Sequence, residues 1–156
     1  MIRARTKRIV RAVYAFRRGY CSISDAQCGA ELTYHHFRPE SKGGSDDVAN
    51  LVYACHAYNE FKGDYWSEET DTRLLHPLTD DLGQQIVEEL TGILRPLIAL
   101  GRVLVDRLQL NRSSLVENRM ERQRLSRIES HLAVMTDTLR NILTEIKTFQ
   151  TNIHPG

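Results

Sequence analysis

Between residues 34 and 62 the chain sets out side chains that can handle protons, cations and phosphate: His35 beside His36, then Arg38, Lys42, Asn50, Asn59 and Lys62. An imidazole with its ordinary pKa near 6.5 can take a proton from water at neutral pH or offer a lone pair to a divalent cation. A side-chain amide oxygen can join such a cation, and Arg or Lys can meet a phosphate. Taken singly, each feature is weak, because a His pair is usually surface or core decoration and Gly-Gly usually just a turn. Their order along the chain carries more weight.

Elements must hold those residues in place. Leu32 to Phe37 and Leu51 to Ala54 read as strands around a loop that contains Pro39, Gly43 and Gly44. A short helix from about His56 to Lys62 follows, giving strand, loop, strand, helix. Adjacent strand residues point to opposite faces, so His35 and His36 can share a site only where the strand ends, twists or bulges. Pro39 and Gly43-Gly44 supply such a departure, and Lys62 lies one helical turn beyond Asn59.

The segments Tyr34-His35-His36-Phe37-Arg38-Pro39, Lys42-Gly43-Gly44 and Asn50-Leu51-Val52-Tyr53-Ala54-Cys55, followed by Asn59 and Lys62, resemble the HNH endonuclease family, whose core is a ββα-metal finger. That family places a metal-binding Asp or His beside a catalytic His, then an apolar residue, a Pro, a Gly-Gly loop, Asn-Leu, and a final His or Asn on the helix. Every element is present here in order. His36 to Asn50 is 14 positions and Asn50 to Asn59 is 9, which fits the variant ending in Asn.

The resemblance implies metal-dependent hydrolysis of DNA phosphodiesters, with His36 as the general base that activates water. It implies one Mg²⁺- or Mn²⁺-class ion held by His35 and Asn59 at the scissile phosphate, and Asn50 bonded to the loop backbone so that His36 is correctly turned. Arg38, Lys62, Arg17 and Arg18 are the expected nucleic-acid contacts. The competing reading is a catalytically inactive HNH-like DNA-binding protein or assembly subunit of a larger complex. RNA cleavage is a third, because no feature here singles out a 2′-hydroxyl reader.

Many HNH proteins staple the finger with zinc held by two Cys-x-x-Cys pairs. The corresponding places read Cys21-Ser22-Ile23-Ser24 and Cys55-His56-Ala57-Tyr58, so each pair lacks its second Cys. Cys21, Cys28, Cys55 and His56 offer a Cys3His alternative, but the step from Cys21 to Cys28 is wide for a knuckle. Ordinary buried cysteines are the expectation, and structural Zn²⁺ is not. Packing from the N-terminal helix and from the region after Gly63 must then support the small core.

Composition agrees with a soluble, foldable chain: of 156 residues, 41% are hydrophobic and 26% charged. The net charge of +1 hides an asymmetry, since residues 1–63 carry 10 Lys or Arg against 6 acids, net +4, and residues 64–156 carry 11 against 14, net −3. The basic half is the one suited to a polyanion. No apolar run approaches the roughly 20 residues needed to span a bilayer, so no membrane partner is expected. The Arg-rich stretch from Met1 to Ser24 can be read as a transit peptide, but Ile9, Val13 and Phe16 at helical spacing favour a structured basic helix. Three cysteines without a signal peptide point to a reducing cytoplasm.

Pro77, Gly83, Gly92 and Pro96 interrupt residues 64–112, where Asp81 to Glu89 and Gly101 to Leu110 have mixed helix and strand character. Residues 73–119 look like the extension of a group of small bacterial HNH proteins, which suggests a bacterial source. Beyond them, Leu125, Ile128, Leu132, Met135, Leu139, Ile142, Ile146 and Phe149 form an uninterrupted a/d heptad pattern without Pro or Gly, and one helix from about Ser114 to Gln150 is expected. Ser113 or Ser114 with Glu117 offers a capping box. The organisation is an HNH nuclease domain over 1–112, with core 17–64 and extension 65–112, and a coiled-coil oligomerisation helix over 113–150. The fold class is α+β, an HNH ββα-metal finger with flanking helices and a long C-terminal coiled-coil helix.

Eight apolar positions on a long helix need a partner, so self-association as a dimer or tetramer is expected. The alternatives are a helix folded back on residues 85–110 or one that binds a separate partner protein. A small nuclease joined to an assembly helix also suits the effector of an antiviral defence complex.

Overall fold

The computed structural model describes residues 2–28 and 32–153. It is α+β, with helices predominating over two small antiparallel sheets. The elements in order are α1 (Ala4–Val13), α2 (Asp25–Cys28), β1 (Leu32–His36), β2 (Leu51–Cys55), α3 (His56–Lys62), β3 (Ile86–Glu88), β4 (Leu94–Pro96), α4 (Ala99–Arg107) and α5 (Ser113–Ile153). Two compact units divide the chain, Met1–Val116 and Glu117–Gly156.

In the first unit β1 and β2 pair antiparallel, with His35 opposite Val52 and His36 opposite Leu51. Alternation fails on β2 because both of its faces are covered, and all five residues, Leu51 to Cys55, are buried. Helices α1 and α3 both contact this strand. The face of α1 differs from the expected one. Val10 and Tyr14 are buried, while Ile9, Val13 and Phe16 stay exposed. Phe16 lies past the helix end in a left-handed conformation (φ 58°), where the Arg11 guanidinium covers its ring at 5.1 Å.

The region after Gly63 completes the core. Leu74 and Leu75 from a loop, Leu104 and Val105 from α4, and Leu108 and Leu110 beyond it are all buried with Val10 and Leu51. The mixed character of 81–110 resolves into a β3–β4 hairpin turning at Gly92 (φ 75°), followed by α4. Helix α4 begins before Gly101 and runs through it, although glycine is a poor helix former. Packing explains this, because a Cβ at 101 would stand 2.0 Å from the Gln85 carbonyl oxygen.

The second unit is the body of α5. Its heptad residues from Leu125 to Phe149 are all exposed, between 43% (Ile128) and 66% (Phe149). No helix among the described residues is long and apolar enough to cross a membrane.

Candidate active site

The two histidines stand at the end of β1, where the chain leaves the sheet. Phe37 N–H still donates to the Asn50 carbonyl at 2.7 Å, and then the backbone turns away through Arg38 and Pro39. Asn50 clamps both ends of the loop that follows. Its Oδ1 accepts from Arg38 N–H at 2.8 Å, while its Nδ2 donates to the carbonyls of Arg38 at 3.1 Å and Ser45 at 2.8 Å. So close an approach requires glycine at 44, where a Cβ would lie 1.8 Å from the Arg38 carbonyl oxygen and 2.9 Å from Asn50 Nδ2. Gly43 takes the left-handed conformation at the preceding turn (φ 82°).

That departure lets neighbouring residues open on one cleft of about 400 Å³, lined by His35, His36, Glu40, Asn59, Lys62 and Asp64 among others. Asn59 and Lys62 reach it from one face of α3, three residues apart. Lys62 is 7% exposed, and its Nζ donates to the Gly63 carbonyl at 3.4 Å, a long hydrogen bond. Burial lowers its pKa, opposed by the charge of Asp64.

His35 is pushed down to about 4, first by burial and then by neighbouring His56, so it is neutral at pH 7. The Thr33 hydroxyl bonds its Nε2 from two residues back on the same strand face. His36 makes a different contact. Its Nε2 lies 2.8 Å from Asp46 Oδ1 and 3.7 Å from Glu40 Oε1. Ligand atoms of these three residues all fall within 4.8 Å of one another. Neither carboxylate was singled out in the sequence, and neither was Asp64.

Three expected nucleic-acid contacts stand elsewhere. Arg38 is not among the described residues lining the cleft; its Nε donates to the Lys42 carbonyl at 2.6 Å, and the guanidinium lies over Trp66 and 3.6 Å from Glu68. Arg17 donates from Nη1 to the Ser22 carbonyl at 3.0 Å, and Arg18 donates its backbone N–H to the Ile23 carbonyl. Behind the loop, Phe37 packs edge-on against both His76 at 4.6 Å and Trp66 at 5.6 Å.

The places where many HNH proteins hold zinc are filled here by packing. Cys21 and Cys55 are buried free thiols, and Tyr58, at the place of a second Cys, is buried as well. The Arg112 guanidinium stacks 4.8 Å from the Tyr58 ring and puts Nη2 3.9 Å from Cys55 Sγ. A fixed cation beside the sulfur opposes a dication there, so this donor set does not fit a thiolate zinc staple. The side chain of Cys28 lies outside the described residues.

A pair of strands, a glycine-bearing loop pinned by an asparagine, and a helix returning Asn and Lys to the strand end is the architecture of a ββα-metal finger. Residues 19–64 match the family model for HNH endonuclease, and the chain carries an HNH domain there. Neither the curated proteins nor the solved structures include a match to this chain.

Proposed function

We propose that the protein is a divalent-metal-dependent endonuclease that hydrolyses DNA phosphodiester bonds, with His36 as its general base. The observation that carries this reading is the cleft itself, where His36, His35, Asn59 and Lys62 meet at the end of β1. An ionised carboxylate can only accept, so the 2.8 Å bond to Asp46 keeps the imidazole proton of His36 on Nε2 and leaves the lone pair on Nδ1. Nδ1 takes a proton from water as the water oxygen bonds to phosphorus and the bond to the 3′ oxygen breaks. The resulting imidazolium faces Asp46, which steadies its charge. Lys62 offers a positive charge to the phosphate from inside the cleft.

A divalent cation of the Mg²⁺ or Mn²⁺ class would be held by the amide oxygen of Asn59 and the neutral imidazole of His35, with the Asp64 carboxylate in the same cleft, and would keep water in its remaining positions. When bound, such an ion supplies Lewis-acid stabilisation of the phosphorane-like transition state and the leaving oxygen. Asn50 acts as a positioning residue through the loop backbone.

The same proposal includes self-association through α5, supported by the exposure of its whole heptad stripe, and a setting as the effector of a defence complex, supported by the pairing of a small nuclease domain with an assembly helix. Purified protein is expected to nick or cut plasmid DNA with Mg²⁺ or Mn²⁺. His36→Ala is expected to lower the rate by roughly 10² to 10⁴-fold without loss of melting temperature. Equal activity in that variant would sink the mechanism. DNA binding without cleavage at any metal would leave the inactive, DNA-binding reading.

A further inference from the structure

Asp46 orients His36, and the Glu40 carboxylate stands beside the same ring nitrogen without a hydrogen bond to it. We propose that Nε2 of His36, Oε1 of Glu40 and Oδ1 of Asp46 form a second, inhibitory cation site that takes a Zn²⁺-class ion. The three atoms come from the strand end, the turn after Pro39 and the loop after Gly44, and they already converge: 2.8 Å and 3.7 Å from the histidine nitrogen, all within 4.8 Å of one another. Two ligands about 2.1 Å from a tetrahedral ion stand roughly 3.4 Å apart, so a small adjustment admits one. One imidazole and two charged carboxylates make a three-ligand set suited to zinc or cobalt, which the His35–Asn59 pair, with one imidazole and one neutral amide, is not.

Inhibition follows from proton bookkeeping on one ring, and it rests on the proposed role of His36 as base. A neutral imidazole has one N–H. A metal on Nε2 displaces the proton that now faces Asp46, and the remaining N–H of the neutral ring must sit on Nδ1. The lone pair that would accept a proton from water is gone, while His35 and Asn59 are untouched. Zn²⁺ at this site therefore disables the base and leaves the Mg²⁺-class site intact.

Equilibrium dialysis of the full chain against Zn²⁺ tests the site without any turnover. Wild type is expected to bind one equivalent that weakens at least tenfold, on the order of the loss seen when a supporting residue is removed, in Glu40→Gln and in Asp46→Asn, and that survives in His35→Ala. In Mg²⁺-driven plasmid cleavage, Glu40→Gln is expected to keep the zinc-free rate and to raise the Zn²⁺ concentration for half-inhibition by a similar factor. Unchanged zinc binding in both carboxylate variants overturns the site. Weakened binding with unchanged inhibition overturns its inhibitory role. If no chain cleaves DNA, the nuclease reading fails while the dialysis result still decides whether the site exists.

Discussion

Helices α4 and α5 carry leucines to opposite fates: Leu104 on α4 is 0% exposed, whereas Leu132 on α5 is 57% exposed. The first is covered by the strands and loops of its own unit, which also hold Leu51, Leu75 and Leu108. The second belongs to a stripe of the same chemistry, repeated every three or four residues, that remains in solvent. Apolar surface in water is unfavourable in proportion to its area. The contrast separates a unit that buries its leucines within one chain from a helix that leaves a stripe of them exposed, and concentration is the variable that tests for the self-association proposed for that stripe.

The largest expected effect breaks that contrast at α5. Leu132→Asp with Leu139→Asp should turn an assembled species into a monomer by sedimentation, while the melting temperature of the first unit at low protein concentration stays put. Leu104→Ala should do the reverse, costing about 2–5 kcal/mol in urea titration at every concentration and leaving assembly unaltered until the unit unfolds.

A smaller effect tests the loop between β1 and β2. Asn50→Ala removes one acceptor and two donor contacts that hold Arg38 and Ser45, and should cost about 1–3 kcal/mol for the groups left unpaired. If Asn50 positions His36, the variant also lowers kcat more than KM. A proportional loss of folded protein with kcat per folded molecule unchanged would assign it to stability alone.

The smallest effect concerns pH. His76 is buried, and burial lowers its pKa despite the charge of Asp80. The folded state therefore binds fewer protons than the unfolded chain below pH 6.5, so this stability is present above that value and falls as the solution is acidified. His35, pushed down to about 4, adds in the same direction between pH 6.5 and 4. In wild type, stability should decline from pH 6.5 towards 4, and His76→Gln should flatten the decline by up to one proton, read from the slope of urea-derived stability against pH. An identical slope in the variant would remove His76 from the account.

Much of the core was legible because its signals are local. Strand β1 ends at His36, one residue before the expected Phe37, and α3 runs from His56 to Lys62 as the sequence suggests. Heptad spacing likewise announced α5, which extends to Ile153. The rest depends on contacts that leave no periodic trace. Glu40 and Asp46 sit on an irregular loop, where nothing in the spacing says which carboxylate will turn back onto an imidazole. The charge of Arg38 is visible in sequence and reads as a phosphate contact; the Lys42 carbonyl, Glu68 and Trp66 ring that it also meets are not visible there. Gly101 to Leu110 reads as mixed helix and strand, and only the Gln85 carbonyl beside Gly101 explains why the helix passes through a glycine there.

Gly44 has a consequence for the genetics of this protein. Every other amino acid carries a Cβ, and here that atom would fall on a backbone oxygen, which no choice of rotamer can relieve. Every missense change at this codon meets the same obstruction, whatever the chemistry of the new side chain. At Gly43 the nearest heavy atom to a Cβ is the tip of Arg38 at 3.8 Å, and the left-handed backbone there is one that asparagine tolerates. In a library selected for function, codon 44 should return only synonymous changes, while its neighbour admits a short list of substitutes.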